Sequence, residues 1–329
     1  MEKIDFVMIW VDGGDPEWQK ERAKYKAEKN TDSSAARYRD WEILKYWFRS
    51  VEKFAPWVNN IYFITNGQKP KWLNLKNPKL KFITHSEYMN KEYLPTFNAN
   101  PIELNIGNIK SLSEHFVYFN DDMFLLKPVK ETDFFRNGLP CDSAIVTPFV
   151  TMESSVSNHM VLNDYEYINK NFDFHQVVKN YPTKFFNIKY GMKNFRTLMM
   201  LPYKKFPGLA FQHMPQSFLK SSFDTVWKKE NKLLHETSLN KFRSKNDVNQ
   251  WLIKWWQICE GKFYPRKYTV GKNCVLSDSN KEIYNIIRQQ KYKMVCINDA
   301  EEIKNFEEVK KELIDALESI LSEKSTFEK

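Results

Sequence analysis

The chain has 329 residues, and its 50 Lys and Arg against 41 Asp and Glu give a formal net charge of +9 at pH 7. This length allows a large hydrophobic core, and no run of about 18 apolar residues could span a membrane. The cysteines form no CxxC pair, have no histidine at metal-binding spacing, and follow no secretory signal pattern. We therefore expect a cytoplasmic enzyme with reduced thiols at Cys141, Cys259, Cys274 and Cys296.

Short β-branched and aromatic runs bounded by turn residues predict strands in the first half of the chain. These runs cover residues 4–11, 60–65, 80–85, 115–120 and 142–149. Between the first two, apolar residues from Trp41 to Val51 recur at helical spacing and predict a helix that ends before Pro56, and a second short helix is predicted at 100–109. The alternation predicts an α/β fold over residues 1–150, with a mostly parallel, Rossmann-like sheet and space for one antiparallel edge strand.

The second half of the chain has a different character. Residues 151–220 are aromatic and basic, and Pro182, Pro202, Pro207 and Pro215 interrupt any long helix. Helices are predicted at 221–236 and 246–259, a short strand at 293–297, and a closing amphipathic helix whose apolar stripe runs from Phe306 to Ile320. We expect residues 151–329 to form a mainly helical elaboration on the acceptor side, integrated with the first half into one catalytic domain.

The basic charge is concentrated in one acid-free segment. Between Asp173 and Asp224 the sequence carries eight Lys or Arg and eleven Phe or Tyr, and no acidic residue. Such a field attracts polyanions, including nucleotide-sugars, phosphorylated polymers and acidic lipid headgroups. A solvated basic face is the alternative interpretation. Nucleic acid is not expected as a partner, because no zinc-finger, helix-turn-helix or RNP-like pattern accompanies the charge.

Two pairs of carboxylates stand where predicted strands end. Asp12 and Asp15 follow the first strand, and Asp121 and Asp122 follow the strand at 115–120. Ligands of open α/β sheets bind beyond the carboxyl ends of the strands, so parallel strands would gather all four carboxylates at one crevice. Their oxygens suit Mg²⁺ or Mn²⁺ bridging a diphosphate, which matters because the chain has neither a P-loop nor a GxGxxG motif. Ordinary turn chemistry is the alternative for both pairs.

Basic residues near the first predicted helix could hold phosphate. Arg37 and Arg39 can make fork-like hydrogen bonds to phosphate oxygens beside the helix N-terminus. Asp40 either caps that helix or contacts substrate. Arg49 lies within the helix, where a surface ion pair with Glu52 is the simplest interpretation.

Two further residues could act directly on the reaction. His213 lies in the acid-free segment beside Pro215, and positive surroundings favour the neutral, proton-accepting form of a histidine. Arg243 could hold a phosphoryl oxygen while charge builds in the transition state. A hydrogen-bonded histidine with no part in chemistry is the alternative for His213.

Several stretches of the chain, in order, resemble the Stealth family of capsular and cell-surface polysaccharide sugar-1-phosphate transferases, which is related to the catalytic part of GlcNAc-1-phosphotransferase. The resemblance is carried by Ile4–Pro16, Arg37–Glu52, Ile61–Gln68, Leu94–Asn98 with Ile102 and Glu103, Phe116–Asp122, His213–Pro215, Phe242–Arg243 with Asp247, and Cys296–Asp299. It covers nearly the whole chain and implies a glycosyltransferase-A-like form of the Rossmann-like sheet.

The resemblance also implies an activity. Family members move a hexose- or N-acetylhexosamine-1-phosphate from a UDP-sugar to a hydroxyl of a glycan or lipid-linked oligosaccharide, so that a phosphodiester forms and UMP leaves. Magnesium or manganese would be the cofactor, and the basic segment would guide the acceptor or hold the enzyme at the inner membrane face. A metal-dependent glycosyltransferase that releases UDP is the main alternative, and a basic binding module without turnover is another.

The implied roles fall on three groups of residues. Asp121 and Asp122 would act on the metal and the diphosphate. Asp122, His213 and Arg243 would be catalytic, with His213 as the general base, unless an aspartate serves instead, and Arg243 steadying the phosphoryl group. The substrate-binding residues would be Asp12, Gly13, Asp15, Arg37, Arg39, Asp40, Asn66, Asn98 and Asn120.

Overall fold

A computed structural model describes residues 2–25, 31–32, 39–151, 155–300 and 303–329. Its strands are β1 (Ile4–Ile9), β2 (Thr31–Asp32), β3 (Ile61–Thr65), β4 (Leu80–Thr84), β5 (His115–Phe119), β6 (Met123–Leu125), β7 (Phe135–Arg136), β8 (Leu139–Asp142), β9 (Gln216–Leu219), β10 (Arg243–Ser244), β11 (Tyr264–Pro265), β12 (Gly271–Val275) and β13 (Met294–Asn298). Its helices are α1 (Pro16–Ala23), α2 (Leu44–Phe54), α3 (Ala99–Leu104), α4 (Glu131–Phe134), α5 (Val156–Asn171), α6 (Phe174–Asn180), α7 (Pro182–Phe185), α8 (Asn194–Met200), α9 (Lys220–Lys229), α10 (Asn231–Leu239), α11 (Gln250–Cys259), α12 (Lys281–Arg288) and α13 (Phe306–Glu318). Short 3₁₀ segments cover His85–Glu87, Lys91–Tyr93, Ile106–Asn108 and Ile188–Lys193.

The central sheet has five strands in the order β4-β3-β1-β5-β9. The first four run parallel, and β9 pairs antiparallel with β5 at the edge. This arrangement confirms the predicted α/β fold with a mostly parallel sheet. Its antiparallel edge strand comes from the second half of the chain rather than from residues 1–150. Because β1 and β5 are parallel neighbours, with Met8 opposite Phe119, the segments that follow them begin at the same edge of the sheet.

The central strands are buried on both faces, and their side chains alternate between two hydrophobic cores. Phe6 and Met8 of β1 belong to a first core that also contains buried residues of α2 and α13. Val7 belongs to a second core, on the other face, which includes residues of α5, α9 and α11. The cysteines are all buried and free, as expected from their spacing. Among the described residues, no helix has both the length and the apolar character to cross a bilayer.

Strands of the second half pair with strands of the first. Besides β9, strand β13 pairs antiparallel with β6, and β11 pairs parallel with β8. The predicted strand at 293–297 is therefore confirmed, with a shift of one residue. This pairing brings Asn298 and Asp299, which end or follow β13, beside Asp122, whose carbonyl accepts a hydrogen bond from the amide of Ile297 at 2.8 Å.

The predicted strand at 142–149 is wrong in its extent. Of the predicted residues only Asp142 lies in a regular strand, as the last residue of β8. The residues after it pair with an irregular stretch around Gly208 rather than with another strand. Thr147 and Phe149 donate amide hydrogen bonds to the carbonyls of Gly208 and Pro207. A Cβ at Gly208, where φ is +152°, would lie 2.6 Å from the Thr147 carbonyl oxygen, so this close approach needs glycine.

Several helices were not predicted, among them α1 and α5. Helix α1 follows directly from the Asp-Gly-Gly-Asp-Pro run: the Asp15 side chain accepts from the amide of Glu17, and Pro16 occupies the first turn. A turn was the alternative interpretation of these residues, which are also helix-start signals. Helix α5 begins after the cap Ser155 and ends before the first of the prolines that were expected to interrupt helices.

Arg49 does not make the predicted surface ion pair with Glu52. Its guanidinium is buried and donates to both carboxylate oxygens of Glu328, each at 2.8 Å, and to Glu318 at 3.1 Å. Glu52 instead accepts from the amide of Thr326. The arginine therefore joins α2 to the segment after α13, which the local sequence around Arg49 could not indicate.

Candidate active site

A cleft of about 500 Å³ opens beyond the carboxyl ends of β1 and β5. It has the size of a small-molecule site and lies where open α/β sheets bind ligands. The predicted site residues that line it are Arg39, Asp40, Asn120, Asp121, Asp122, His213 and Arg243. Residues far apart in sequence are thus brought together at one place.

A smaller cavity of about 140 Å³ adjoins the cleft and shares Asn120, Asp121 and Arg243 with it. Two other predicted residues, Asn66 and Asn98, lie in its wall. The remaining lining is largely apolar and includes Trp10, Trp18, Phe97 and the buried His85. Burial lowers the pKa of His85 to about 4, which keeps this side chain uncharged at neutral pH.

The residues after β1 form a tight turn before α1. Asp12 accepts the amide of Gly14 at 2.9 Å, and the buried Gly13 accepts the side-chain amide of Gln19 at 2.8 Å. Asp15 caps α1 and accepts from Gln68 at 3.0 Å; this hydrogen bond, before any other cause, lowers the pKa of the Asp15 carboxyl. The turn interpretation of these residues therefore holds locally, and their predicted substrate contacts stay predictions.

Electrostatic contacts connect the two predicted carboxylate pairs through Asp40. Partial burial raises the pKa of Asp40, and the negative charge of Asp12 acts in the same direction. Asp121 is exposed toward the cleft. Desolvation by the cleft walls raises the pKa of its carboxyl, and the negative charges of Asp122 and Asp40 act in the same direction. The cleft thus concentrates negative charge that a cation or a bound proton would relieve.

Arg39 and Asp40 both line the cleft, and their predicted contacts with substrate stay predictions. Asp40 does not cap α2, because the helix begins four residues later and Ile43 at its N-cap makes no side-chain hydrogen bond; Asp40 accepts instead from the amide of Glu42. Arg39 pairs with Asp299 at 3.2 Å and lies over the ring of Phe306. Arg37 lies outside the described residues.

His213 lies at the centre of a polar group in the cleft wall. Its Nε2 is 2.9 Å from the amide nitrogen of Asn120, and its Nδ1 is 3.3 Å from Asn298 Oδ1. With the Asn120 amide as the donor, Nε2 is the lone-pair nitrogen and Nδ1–H points to Asn298. The near neighbours are polar and acidic rather than the basic residues expected from the sequence, since Asp122 and Cys296 also lie close.

Asp122, His213 and Cys296 each place one possible ligand atom within 4.8 Å of the others. Burial, and next the charge of Asp122, raises the pKa of the Cys296 thiol, so this thiol is protonated in the metal-free protein. The carboxylates fit a hard cation better. Three buried oxygens in the cleft have no hydrogen-bond partner within the described part of the chain: Asn120 Oδ1, Asp122 Oδ1 and Asp299 Oδ2. Such oxygens are acceptors, and a cation could satisfy them.

Glu103 lies in the walls of both cavities, and the sequence indicated it only as part of the family resemblance, with no role. Its side chain is buried and accepts a hydrogen bond of 2.9 Å from the hydroxyl of Tyr118. Burial raises the pKa of Glu103 to about 7, while the charge of Arg243 and the Tyr118 bond act in the opposite direction. A carboxyl on a short helix gives no sequence signal of this kind, because its burial depends on β5 and the Arg243 loop.

The loop that carries Arg243 is held by the buried carboxylate of Asp247. Asp247 accepts hydrogen bonds from the side chains of Asn98, Asn100 and Asn240 at 2.9, 2.8 and 2.6 Å, and from the amide of Ser244 at 3.0 Å. Arg243 itself lies in β10, which pairs with β2. Asn98 is therefore engaged within the protein, and its predicted contact with substrate stays a prediction.

Sequence comparisons relate the chain to polysaccharide phosphotransferases. Residues 2–30 and 37–142 match two family models, "Stealth protein CR1, conserved region 1" and "Stealth protein CR2, conserved region 2". The chain is 46% identical to the capsular polysaccharide phosphotransferase WcwK of Streptococcus pneumoniae, over 100% of this chain and 99% of that protein. It is 42% identical to the receptor polysaccharide phosphotransferase WefC of Streptococcus oralis, over 100% of both chains. The exopolysaccharide phosphotransferase cps2G of Lactiplantibacillus plantarum is 44% identical, over 99% of this chain and 96% of that one.

Solved structures resemble the fold only distantly. The bifunctional glycosyltransferase WbbM aligns at a TM-score of 0.40 with 13% identity, over 96% of this chain and 50% of that one. The galactosyltransferase LgtC aligns at 0.38 with 8% identity, over 96% of both chains. The sheet topology described above, rather than these low scores, is the basis of the fold assignment.

Proposed function

The chain belongs to the Stealth protein family, which confirms the resemblance in its motifs, and we propose that it is a sugar-1-phosphate transferase of polysaccharide synthesis. The donor would be a UDP-sugar and the acceptor a hydroxyl of a glycan or of a lipid-linked oligosaccharide. The observation that carries the proposal is the single cleft in which Asp121, Asp122, His213 and Arg243 meet. It combines acidic and basic groups suited to a diphosphate with a histidine that can accept a proton.

In the proposed reaction, the acceptor hydroxyl attacks the β-phosphorus of the donor. A new P–O bond forms to the acceptor, the P–O bond between the β-phosphorus and the bridging oxygen breaks, and UMP leaves with that oxygen. Negative charge spreads over the equatorial oxygens, so catalysis depends mainly on positioning and electrostatics. Arg243 would contact those oxygens. The acceptor hydroxyl would displace the Asn120 amide from Nε2 of His213 and give its proton to that lone pair, while Asn298 holds the ring in this tautomer.

A divalent cation, magnesium or manganese, fits the acceptor-only oxygens of the cleft. Asp122 would hold it, with Asp121 and Asp299 close by. When bound, such an ion would neutralise diphosphate charge and make UMP a better leaving group. The chain's own contribution is to hold Asp121 and Asp122 in a walled cleft with no ion pair to another described residue, while Arg39 offsets the charge of Asp299.

The released nucleotide tests the proposal. Incubation with a panel of UDP-sugars and an acceptor extract, followed by chromatography, is expected to yield UMP in equimolar amount with a new phosphodiester. Release of UDP instead would show attack at the anomeric carbon and make the chain an ordinary glycosyltransferase. Absence of either nucleotide, with every sugar and acceptor fraction, would leave a binding protein without turnover and refute the proposal.

Variants separate the roles of the cleft residues. Asp122→Asn and His213→Ala are each expected to lower the transfer rate by about 10²-fold or more, because each removes a group that acts on the transition state. Asp315→Asn, an exposed position on α13, is the matched control and should keep full activity. Circular dichroism and thermal melting must show a folded protein in every variant. Full activity in Asp122→Asn or His213→Ala refutes the role of that residue, and turnover unaffected by EDTA refutes the cation.

A further inference from the structure

Large apolar side chains lie exposed together on the segment that follows α7. Twelve large apolar side chains are exposed in the described part of the chain, and six of them fall within residues 188–203. We call these six the outer apolar patch: Ile188, Met192, Phe195, Leu198, Met199 and Tyr203, exposed by 92, 82, 63, 50, 65 and 53%. Single exposed apolar residues are ordinary, whereas a concentration of them indicates an interaction surface.

The segment is fixed to the protein by its inner side. Tyr190 and Thr197 are buried, and their hydroxyl oxygens accept hydrogen bonds from the amides of Ala144 and Val146, each at 3.1 Å. The Tyr190 hydroxyl in turn donates to the carbonyl of Lys184 at 2.8 Å. The apolar side chains are therefore displayed outward by a well-anchored segment, and their exposure is not a by-product of a poorly packed loop.

Basic side chains accompany the patch, and acidic ones are missing from this stretch of sequence. Lys193, Arg196, Lys204 and Lys205 lie within it or directly after it, and none of the four makes an ion pair among the described residues. Arg196 and Lys204 are exposed, and no acidic residue occurs between Asp173 and Asp224. Apolar residues flanked by uncompensated Lys and Arg are the composition of surfaces that lie in the headgroup region of an anionic membrane.

A second copy of the chain fits this surface less well. A two-fold interface places the same patch on both subunits, so Arg196 and Lys204 of each copy would approach their own equivalents. Like charges at such an interface are unfavourable, whereas anionic lipid phosphates would neutralise them. Charge complementarity therefore favours a lipid surface.

We propose that the outer apolar patch docks the protein on an anionic lipid bilayer, with its apolar side chains among the headgroups and acyl boundary and with Arg196 and Lys204 on lipid phosphates. The proposal concerns binding, and it rests on the proposed function only for its purpose, which would be to bring the cleft to a lipid-linked acceptor. It refines the general expectation of membrane association to a defined surface.

The patch is connected to the cleft by a short series of contacts. The ammonium of Lys193 lies 4.8 Å from the ring centre of Tyr268, whose hydroxyl donates to the carbonyl of Phe211 at 3.0 Å. The ring of Phe211 packs 4.5 Å from that of Trp251, which lines the cleft beside His213. The docking surface and the proposed general base, His213, thus lie in the same region of the molecule.

Vesicle co-sedimentation tests the docking surface. The full chain is expected to bind phosphatidylcholine vesicles that contain phosphatidylglycerol, more weakly at high salt, and to bind pure phosphatidylcholine poorly. Met192→Ser/Phe195→Ser/Met199→Ser should lower the partition coefficient at least tenfold, because three apolar side chains no longer leave water. Arg196→Gln/Lys204→Gln should lower it about fivefold for each charge removed.

Matched substitutions on other surfaces serve as controls. Leu75→Ser/Leu162→Ser/Val275→Ser removes three apolar side chains outside the patch that are exposed by 42, 42 and 60%, and Lys228→Gln/Lys229→Gln removes two exposed charges. Both controls should bind vesicles as the parent does. Parent-like vesicle binding by the patch variants overturns the proposal. The proposal is also overturned if the parent does not bind vesicles and is a dimer in sedimentation velocity without lipid, while the triple patch variant is a monomer.

The two proposals fail separately. Asp122→Asn is expected to bind vesicles as the parent does while losing transfer, because Asp122 lies in the cleft and not in the patch. Vesicle binding with no nucleotide released from any UDP-sugar would refute the proposed function and leave the docking surface standing. Transfer to a soluble acceptor with no vesicle binding would refute the docking surface and leave the proposed function standing.

Discussion

Glu103→Gln is expected to change how the stability of the protein depends on pH. Burial raises the pKa of this carboxyl from its ordinary 4.5 to about 7 in the folded protein. Between these two values the unfolded chain loses the proton while the folded protein keeps it, so the free energy of unfolding falls as pH rises. Each pKa unit corresponds to about 1.4 kcal/mol, so the loss amounts to about 3 kcal/mol and is complete above pH 7.

The glutamine variant lacks this titration but keeps an oxygen that can accept the hydrogen bond from Tyr118. The free energies of unfolding of parent and variant, measured in urea at pH 5, 6, 7 and 8, should therefore depend on pH differently. From the lowest to the highest pH, the free energy of unfolding of the variant should rise by about 2–3 kcal/mol relative to that of the parent. Other buried acids titrate equally in both proteins and cancel in the difference. The control Glu323→Gln, at an exposed position, should follow the parent throughout. Parallel curves for Glu103→Gln and the parent would refute the reasoning and would indicate a glutamate already ionised against Arg243.

Three further substitutions probe the fold around the site. Arg49→Met should lower the free energy of unfolding in urea by about 3–5 kcal/mol, because it leaves the buried Glu328 without its partner. Adding Glu328→Gln should recover part of the loss. An unchanged free energy of unfolding in Arg49→Met would contradict the pairing. Asp247→Ala should lower stability by about 2–3 kcal/mol, because several donors lose one acceptor, and should reduce kcat more than it raises KM; parent-like kinetics in a folded variant would show that the Arg243 loop does not need this carboxylate. Gly208→Ala should lower the melting temperature through the 2.6 Å approach to the Thr147 carbonyl, whereas Gly67→Ala, with a similarly positive φ but open space around it, should cost less; equal losses would mean that backbone conformation alone decides.

The sequence predicted the parts of the fold that depend on local periodicity. The strands at the centre of the sheet were identifiable because their apolar runs are continuous, as buried parallel strands require. Helices α2, α11 and α13 were identifiable from their apolar faces. The stretch at 143–149 was misjudged because its partner is an irregular loop around Gly208, and no local pattern shows which backbone will supply the hydrogen bonds.

The candidate site was predictable only where residues follow strand ends or lie in the family's motifs. Asp121, Asp122 and Arg39 were found in this way, and the cleft brings them together. The surroundings that decide their properties come from distant segments. Asp299 pairs with Arg39 across 260 positions of sequence, and Glu103 is buried by β5 and the Arg243 loop. Long-range packing of this kind has no signature in a single sequence.

The hydrogen bonds of Arg49 have a consequence for how the protein is made. The first core draws on α2 near one end of the sequence and on α13 and Phe327 near the other. On the ribosome, α2 and its arginine emerge long before Glu318 and Glu328, so one face of the sheet stays uncovered until the segment with these glutamates has also emerged. A nascent chain of this design would present that apolar face to chaperones until then, and loss of the segment that carries Glu318 and Glu328 would leave a buried guanidinium without its anions.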